Sequence, residues 1–159
     1  MHESADIINA LLHQGESVRF RAGGHSMTPT IRDGDMVMIR PCGLNSPPRG
    51  AVIFYRAHGR LILHRLIKTV ENKAETIADA ALEGKETIRL EDIAGVAVWV
   101  MRGGERKRLD RGLDRWLGLF RYWSRPCRRV FLKTYHAHRV TSPQANDSKT
   151  SAATGDRVK

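Results

Sequence analysis

A mainly β fold, with a short helix before it and a basic, partly helical extension after it, is what three features of the sequence predict. From 16 to 104, short apolar or alternating runs follow one another with Gly, Pro or Asp-Gly between them, the texture of strands and their turns. Apolar residues at helical spacing are confined to the two ends of the chain. A length of 159 residues gives room for one domain with a core, plus appendages.

The elements follow in order. Ile7, Ile8, Leu11 and Leu12 stand at i, i+1, i+4 and i+5, the stripe of a short amphipathic helix within 1–15, closed by Gly15. Val18-Arg19-Phe20-Arg21 alternates, and Met36 to Ile39 and Ala51 to Tyr55 are rich in strand formers. Leu61-Ile62-Leu63 and Leu66-Ile67 flank His64-Arg65, and the runs Thr87 to Leu90 and Val96 to Val100 complete the set. Ala57-His58-Gly59-Arg60 has hairpin-loop length, so strands 51–56 and 61–68 are expected to pair antiparallel.

From Gly103 the texture changes. Residues 105–140 interleave Arg and Lys with Trp116, Leu117, Leu119, Phe120, Tyr122, Trp123, Val130 and Phe131, broken by Pro126, which predicts one or two short amphipathic helices. Residues 141–159, low in apolar side chains, read as a disordered tail.

The formal charge of +10 resides in this extension. Residues 1–101 hold 12 Lys+Arg against 12 Asp+Glu, while residues 102–159 hold 15 against 5. Arginines mixed with large aromatics suit the headgroup region of an anionic membrane, where rings enter the interface and guanidinium groups meet lipid phosphates. That expectation is preferred to a nucleic-acid partner, while a merely solvated charged face stays open. The longest nearly uncharged apolar stretch, Ile93 to Met101, is nine residues, whereas a bilayer-crossing helix takes roughly 20. The start MHESADIINALLHQG lacks a basic beginning and a secretory apolar core, so the expected compartment is the cytoplasm, with peripheral contact at the inner face of the membrane. Cys42 and Cys127 have no partner spacing, and neither a disulfide framework, a metal site nor a cofactor is called for.

One stretch points to chemistry. GGHSMTPTIRDGD, residues 23–35, displays the small hydroxyl of Ser26 among residues that bend the backbone. Such a serine is a turn residue unless a base elsewhere can take its proton. His2 and His13 lie at the N-terminal helix, His58 in a turn, and His136 and His138 in the extension, while His25 would face away from Ser26 on extended backbone. His64 differs, because it sits inside the apolar run GRLILHRLIKTV, where a polar ring needs a partner. From the residues alone it is either that base or a core histidine bonded to backbone.

GGHSMTPTIRDGDMVMI, SPPRGAVIFY, GRLILHRLIKTV and IAGVAVWV together resemble the successive boxes of the S24/S26 serine peptidases, the clan of signal peptidase I and the LexA-type self-cleaving repressors. The resemblance covers residues 17 to 102 and implies their mostly β catalytic fold. It places the nucleophile on Ser26 and the base on His64, where most bacterial signal peptidases and the repressors carry lysine, so the chain looks like the Ser-His subgroup of archaeal and endoplasmic-reticulum signal peptidases. It makes Asp79, in TIADAALEG, the first candidate to orient His64 and Glu83 the second. Gly50-Ala51 departs from the family's Gly-Asp, and Ala78 stands in place of a glycine. Gly24 stands where signal peptidases place a hydroxyl residue, which leaves oxyanion stabilisation to backbone N–H groups, chiefly that of Ser26. Met27 is expected to pack beside the cleft, Asp33 and Asp35 to bond backbone, and Arg65 to point away from His64 in a structural role. Lys68 shares the face of His64 but lies about 13 Å further along at ~3.3 Å per residue.

The expected activity is that of a serine endopeptidase of signal-peptidase type, which takes an extended peptide as an added strand and cleaves after small residues. Two other classes stay open: a LexA-like self-processing or nucleic-acid-associated regulator, and a non-catalytic peptide-binding module.

Overall fold

A computed structural model describes residues 2–43, 46–57, 59–81 and 83–124. Its elements are helix α1 (His2–His13), strands β1 (Val18–Arg21), β2 (Met36–Pro41), β3 (Val52–Ala57), β4 (Arg60–Val70), β5 (Lys73–Ile77), β6 (Glu86–Arg89), β7 (Ile93–Arg102) and β8 (Glu105–Arg108), and helix α2 (Gly112–Trp123). A single 3-10 turn, Leu90–Asp92, joins β6 to β7.

The strands form one antiparallel, curled sheet in the order β1-β2-β7-β3-β4-β5-β6, with β8 also beside β7. Register shifts at Met38/Ile39, Phe54/Tyr55 and Leu66/Lys68 interrupt the pairing, and such bulges bend a sheet. Strand β3 lies at the centre of this curl. Val52 and Phe54 enter one apolar cluster, with Val37, Ile39 and Val100, while Ile53 and Tyr55 enter another, with Leu66, Ala74 and Ile88. Burial on both faces is why this strand reads as an unbroken apolar run. Helix α1 sends Leu12 and Ile8 into the first cluster and leaves Ile7 and Leu11 exposed. It ends at Gly15, whose φ of 88° lets the N–H groups of Gly15 and Glu16 return to Leu12 and Leu11 carbonyls.

The β3–β4 hairpin forms as expected, with Ile53 opposite His64 and Tyr55 opposite Ile62. The runs on either side of His64-Arg65 belong, as read, to one strand, here of eleven residues, because both polar side chains find partners. Two features differ from the sequence reading. Strands β5 and β8 have sequences, KAETI and ERKR, with too few apolar residues to announce them; each is held by a tight reversal, at Glu71-Asn72 and at Gly103-Gly104. The start of the basic extension is therefore a strand, and only then a helix. Helix α2 buries Gly118 and Leu119, the latter against Ile67 and Ile77. Residues 125–159, which include Pro126, Cys127, Val130, Phe131, His136, His138 and the tail read as disordered, lie outside the described residues, as does His58. Among the described residues no helix is long and apolar enough to cross a membrane.

Candidate active site

Ser26 lies in the loop between β1 and β2, and that loop is pinned at its base by backbone. Ala22 N–H donates to the Asp35 carbonyl at 2.8 Å and Gly34 N–H to the Ala22 carbonyl at 2.8 Å. The aspartates fix the rest. Asp33 Oδ1 accepts the Gly24 N–H at 2.8 Å, and Asp35 accepts the Arg32 N–H at 2.7 Å while Arg102 holds both its oxygens, at 2.9 and 2.6 Å. The Arg102 bonds hold the Asp35 carboxyl below the usual carboxylate range. Met27 and Ile31 are buried anchors, joined by an Ile31 N–H to Met27 carbonyl bond at 2.9 Å, and Ser26 between the glycines and Met27 stays exposed.

Ser26, Gly24 and Met27 open on a cleft of about 430 Å³, whose apolar wall includes Phe20, Leu61 and Leu63. Gly24 has φ of 87°, a backbone that disfavours any side chain, and its N–H is taken by Asp33. It shapes the cleft as an open, side-chain-free wall.

His64 is half-buried in β4, with Nδ1 2.9 Å from the Tyr55 hydroxyl. That hydroxyl donates to Glu86 Oε2 and lies 3.3 Å from Thr76 Oγ1. A phenol has one proton, and here it goes to Glu86. The hydroxyl oxygen can therefore only accept from His64, which places the ring proton on Nδ1 and leaves Nε2 as the bare nitrogen. Burial pushes the His64 pKa down, opposed by the Glu86 and Asp79 charges. Burial likewise pushes the Tyr55 phenol well above its ordinary value, with the Glu86 bond adding to it.

Asp79, expected against His64, has other partners. Its oxygens accept from Arg65 Nε at 2.7 Å and Nη2 at 2.6 Å, and from the Thr30 hydroxyl. Arg65 Nη1 also donates to the Gly50 carbonyl at 2.7 Å. The reason is burial: Asp79 is 6% and Arg65 2% exposed, and a carboxylate so enclosed takes the forked cation that neutralises it. Asp79 reaches His64 only through its charge, and Glu83 is exposed. Arg65 has the structural role read for it, on the side of β4 away from Tyr55. Lys68 pairs with Glu75 at 2.9 Å.

The main chain ties the Ser26 loop to the segment that follows β5. The Ser26 carbonyl accepts the Ala80 N–H at 2.9 Å, and the Arg65–Ile77 register puts His64 level with Ala78 on the same segment. Among the described residues no hydrogen bond joins the Ser26 hydroxyl to the imidazole. Tyr55, Thr76, Glu86 and Thr30 were not singled out from sequence. The hairpin register held a signal for one of them, since Ile53 opposite His64 makes Tyr55 its diagonal neighbour on the same face.

No curated protein matches the chain. The model of one family, described as Peptidase S24-like, matches residues 2–97, which is more than half of the chain and includes Ser26, Tyr55, His64, Asp79 and Glu86. The chain belongs to the peptidase S24-like family.

Proposed function

We propose that this chain is a serine endopeptidase of signal-peptidase type that cuts an extended peptide with a Ser26–His64 dyad. The observation that carries the reading is the direction of the hydrogen bonds at His64, which reserves Nε2 for accepting a proton. The substrate pairs with β1, the terminal strand of the sheet, whose outer edge is open among the described strands, and runs past Gly23-Gly24 to Ser26. The Ser26 hydroxyl gives its proton to Nε2 as Oγ bonds to the scissile carbonyl carbon, and the carbonyl electrons move to oxygen. Backbone N–H groups, chiefly that of Ser26, bind the oxyanion. The C–N bond then breaks, the imidazolium returns the proton to the leaving amine, and water hydrolyses the acyl-serine by the same route. The dyad's own bond forms when substrate displaces water, as catalytic hydrogen bonds in empty sites are commonly long.

The test is a fluorophosphonate probe followed by peptide mapping. Labelling of Ser26 that disappears in Ser26→Ala and slows roughly 100-fold or more in His64→Ala supports the dyad. Undiminished labelling of Ser26→Ala sinks it. Intact masses of the two purified chains separate the LexA-like alternative, since a self-processing chain would be shortened only with Ser26 present. Absence of both labelling and shortening would favour a peptide-binding module.

A further inference from the structure

Helix α2 lies on the sheet the wrong way round for an amphipathic helix. Gly118 and Leu119 face inward, while Leu113, Trp116, Leu117, Phe120 and Trp123 are 75, 65, 49, 67 and 54% exposed. Positions i, i+3, i+4, i+7 and i+10 share one side of a helix, so these five form a single stripe of leucines and aromatics. The reversal has a steric cause. A Cβ at Gly118 would lie 2.1 Å from Arg65 Cζ, so the guanidinium that neutralises Asp79 occupies the space where large inward side chains would go. The helix meets the charged pair with its smallest residue and turns its bulk outward.

The stripe is flanked by cations. Arg111 precedes the helix and exposed Arg49 stands 5.4 Å from the centre of the Trp123 ring, whereas Arg115 packs against Gly50 on the inward side and Arg121 turns to Thr30. The one acid of the helix, Asp114, is taken by Lys107 at 3.1 Å. Single exposed apolar residues are ordinary on a protein surface, but a continuous row of five is an interaction surface.

We propose that this face of α2 docks on an anionic lipid bilayer, with the helix lying in the plane of the headgroups. Leucine and tryptophan side chains enter the headgroup–acyl boundary, and the flanking arginines meet lipid phosphates. Leu113 and Leu117 argue against a nucleic-acid strand, because they take two of the five places in the row and have no ring on which a base could stack. A second copy of the chain fits less well, since paired stripes would bring two sets of arginines together with each Asp114 already neutralised. The helix is also tied to the nucleophile loop: Arg121 Nη1 donates to the Thr30 hydroxyl at 3.2 Å, four residues from Ser26. A docked helix would thereby hold the cleft at the bilayer surface. The inference does not depend on the catalytic reading, because its readout is binding.

The experiment is co-sedimentation of the full chain with vesicles of phosphatidylcholine alone and of phosphatidylcholine mixed with phosphatidylglycerol. The full chain should partition onto the anionic vesicles at least roughly tenfold better than onto the neutral ones, and Trp116→Ser/Phe120→Ser should lose roughly tenfold or more of that binding. Both side chains are exposed, so the variant should melt with the wild type; Leu113→Ser/Leu117→Ser serves the same purpose if it does not. Wild-type binding by a folded variant would overturn the proposal by moving the contact elsewhere in the basic chain. So would concentration-dependent dimerisation without vesicle binding, or oligonucleotide binding that needs Trp116 and Phe120 while vesicles are ignored.

Discussion

The hydroxyl of Tyr55 accepts a hydrogen bond from Nδ1 of His64 at 2.9 Å while donating its own proton to Glu86. Tyrosine thus stands where an aspartate was expected, with the carboxylate one step further out. A neutral hydroxyl fixes the tautomer and the ring plane but supplies no full charge to an imidazolium, so in the proposed dyad it would orient the base more than strengthen it.

Tyr55→Phe should therefore lower kcat by about 10- to 100-fold with KM little changed, because the ring loses its orienting acceptor but keeps Nε2. Glu86→Gln should cost less, since the hydroxyl remains in place. Steady-state kinetics on a cleavable peptide checks both, and an unaltered kcat for Tyr55→Phe would remove the tyrosine from the machinery.

The pH profile follows from the burial of His64. In the proposed dyad the base works as the neutral ring, which prevails above its pKa, and burial lowers that pKa from 6.5. The acid limb of kcat/KM should lie below 6.5 and activity should be full at neutral pH, whereas a lysine base would need a far larger shift from its ordinary value to be neutral there. The same shift acts on stability: as pH falls below 6.5 the unfolded chain takes up the proton first, so this residue's contribution declines toward the lower folded pKa. Titration of the His64 ring by NMR in Ser26→Ala tests the direction.

Asp79→Asn should appear first in stability. Asparagine cannot neutralise Arg65, and removal of one partner from a buried ion pair costs about 3–5 kcal/mol. Chemical denaturation should show the loss, and the fraction still folded should keep more activity than Tyr55→Phe does. Near-normal stability with abolished turnover would restore Asp79 to the orienting role first read for it.

Gly118→Ala sets two effects against each other. Alanine favours an exposed helix by about 1 kcal/mol, but here the new methyl meets the Arg65 guanidinium, which bonds to Asp79 and Gly50 and cannot swing aside without leaving a buried charge unpaired. Overpacking of this kind costs about 1–3 kcal/mol or more, so net destabilisation is expected in a thermal melt.

Most of the fold and the Ser26 loop were legible because each rested on local pattern. Alternation and turn residues marked β1 through β4, β6 and β7, and the Ser26 box carried its own punctuation. Strands β5 and β8 were hidden because their hydrogen bonds come from neighbours while their side chains are largely polar. The partner of His64 was hidden for a related reason. Position in a family box points to Asp79, but whether a buried carboxylate turns to an imidazole or a guanidinium depends on which is nearer and always charged, and that is settled in three dimensions.

His64 and Arg65 are adjacent in β4, yet the first meets Tyr55 on one side of the strand and the second meets Asp79, Thr30 and Gly118 on the other. Under the proposed dyad, the base and the buried ion pair are thus neighbours in sequence that turn to opposite sides of one strand. Substitutions at 64 would then retune the base, even toward lysine, without touching the ion pair beneath Gly118. A single inserted residue between Gly59 and His64 would do the opposite: it would exchange the two faces, putting a guanidinium against Tyr55 and an imidazole under the helix. The start of β4, from Arg60 to His64, is therefore the place where this strand least tolerates a change of length, whereas the hairpin loop before it can absorb one.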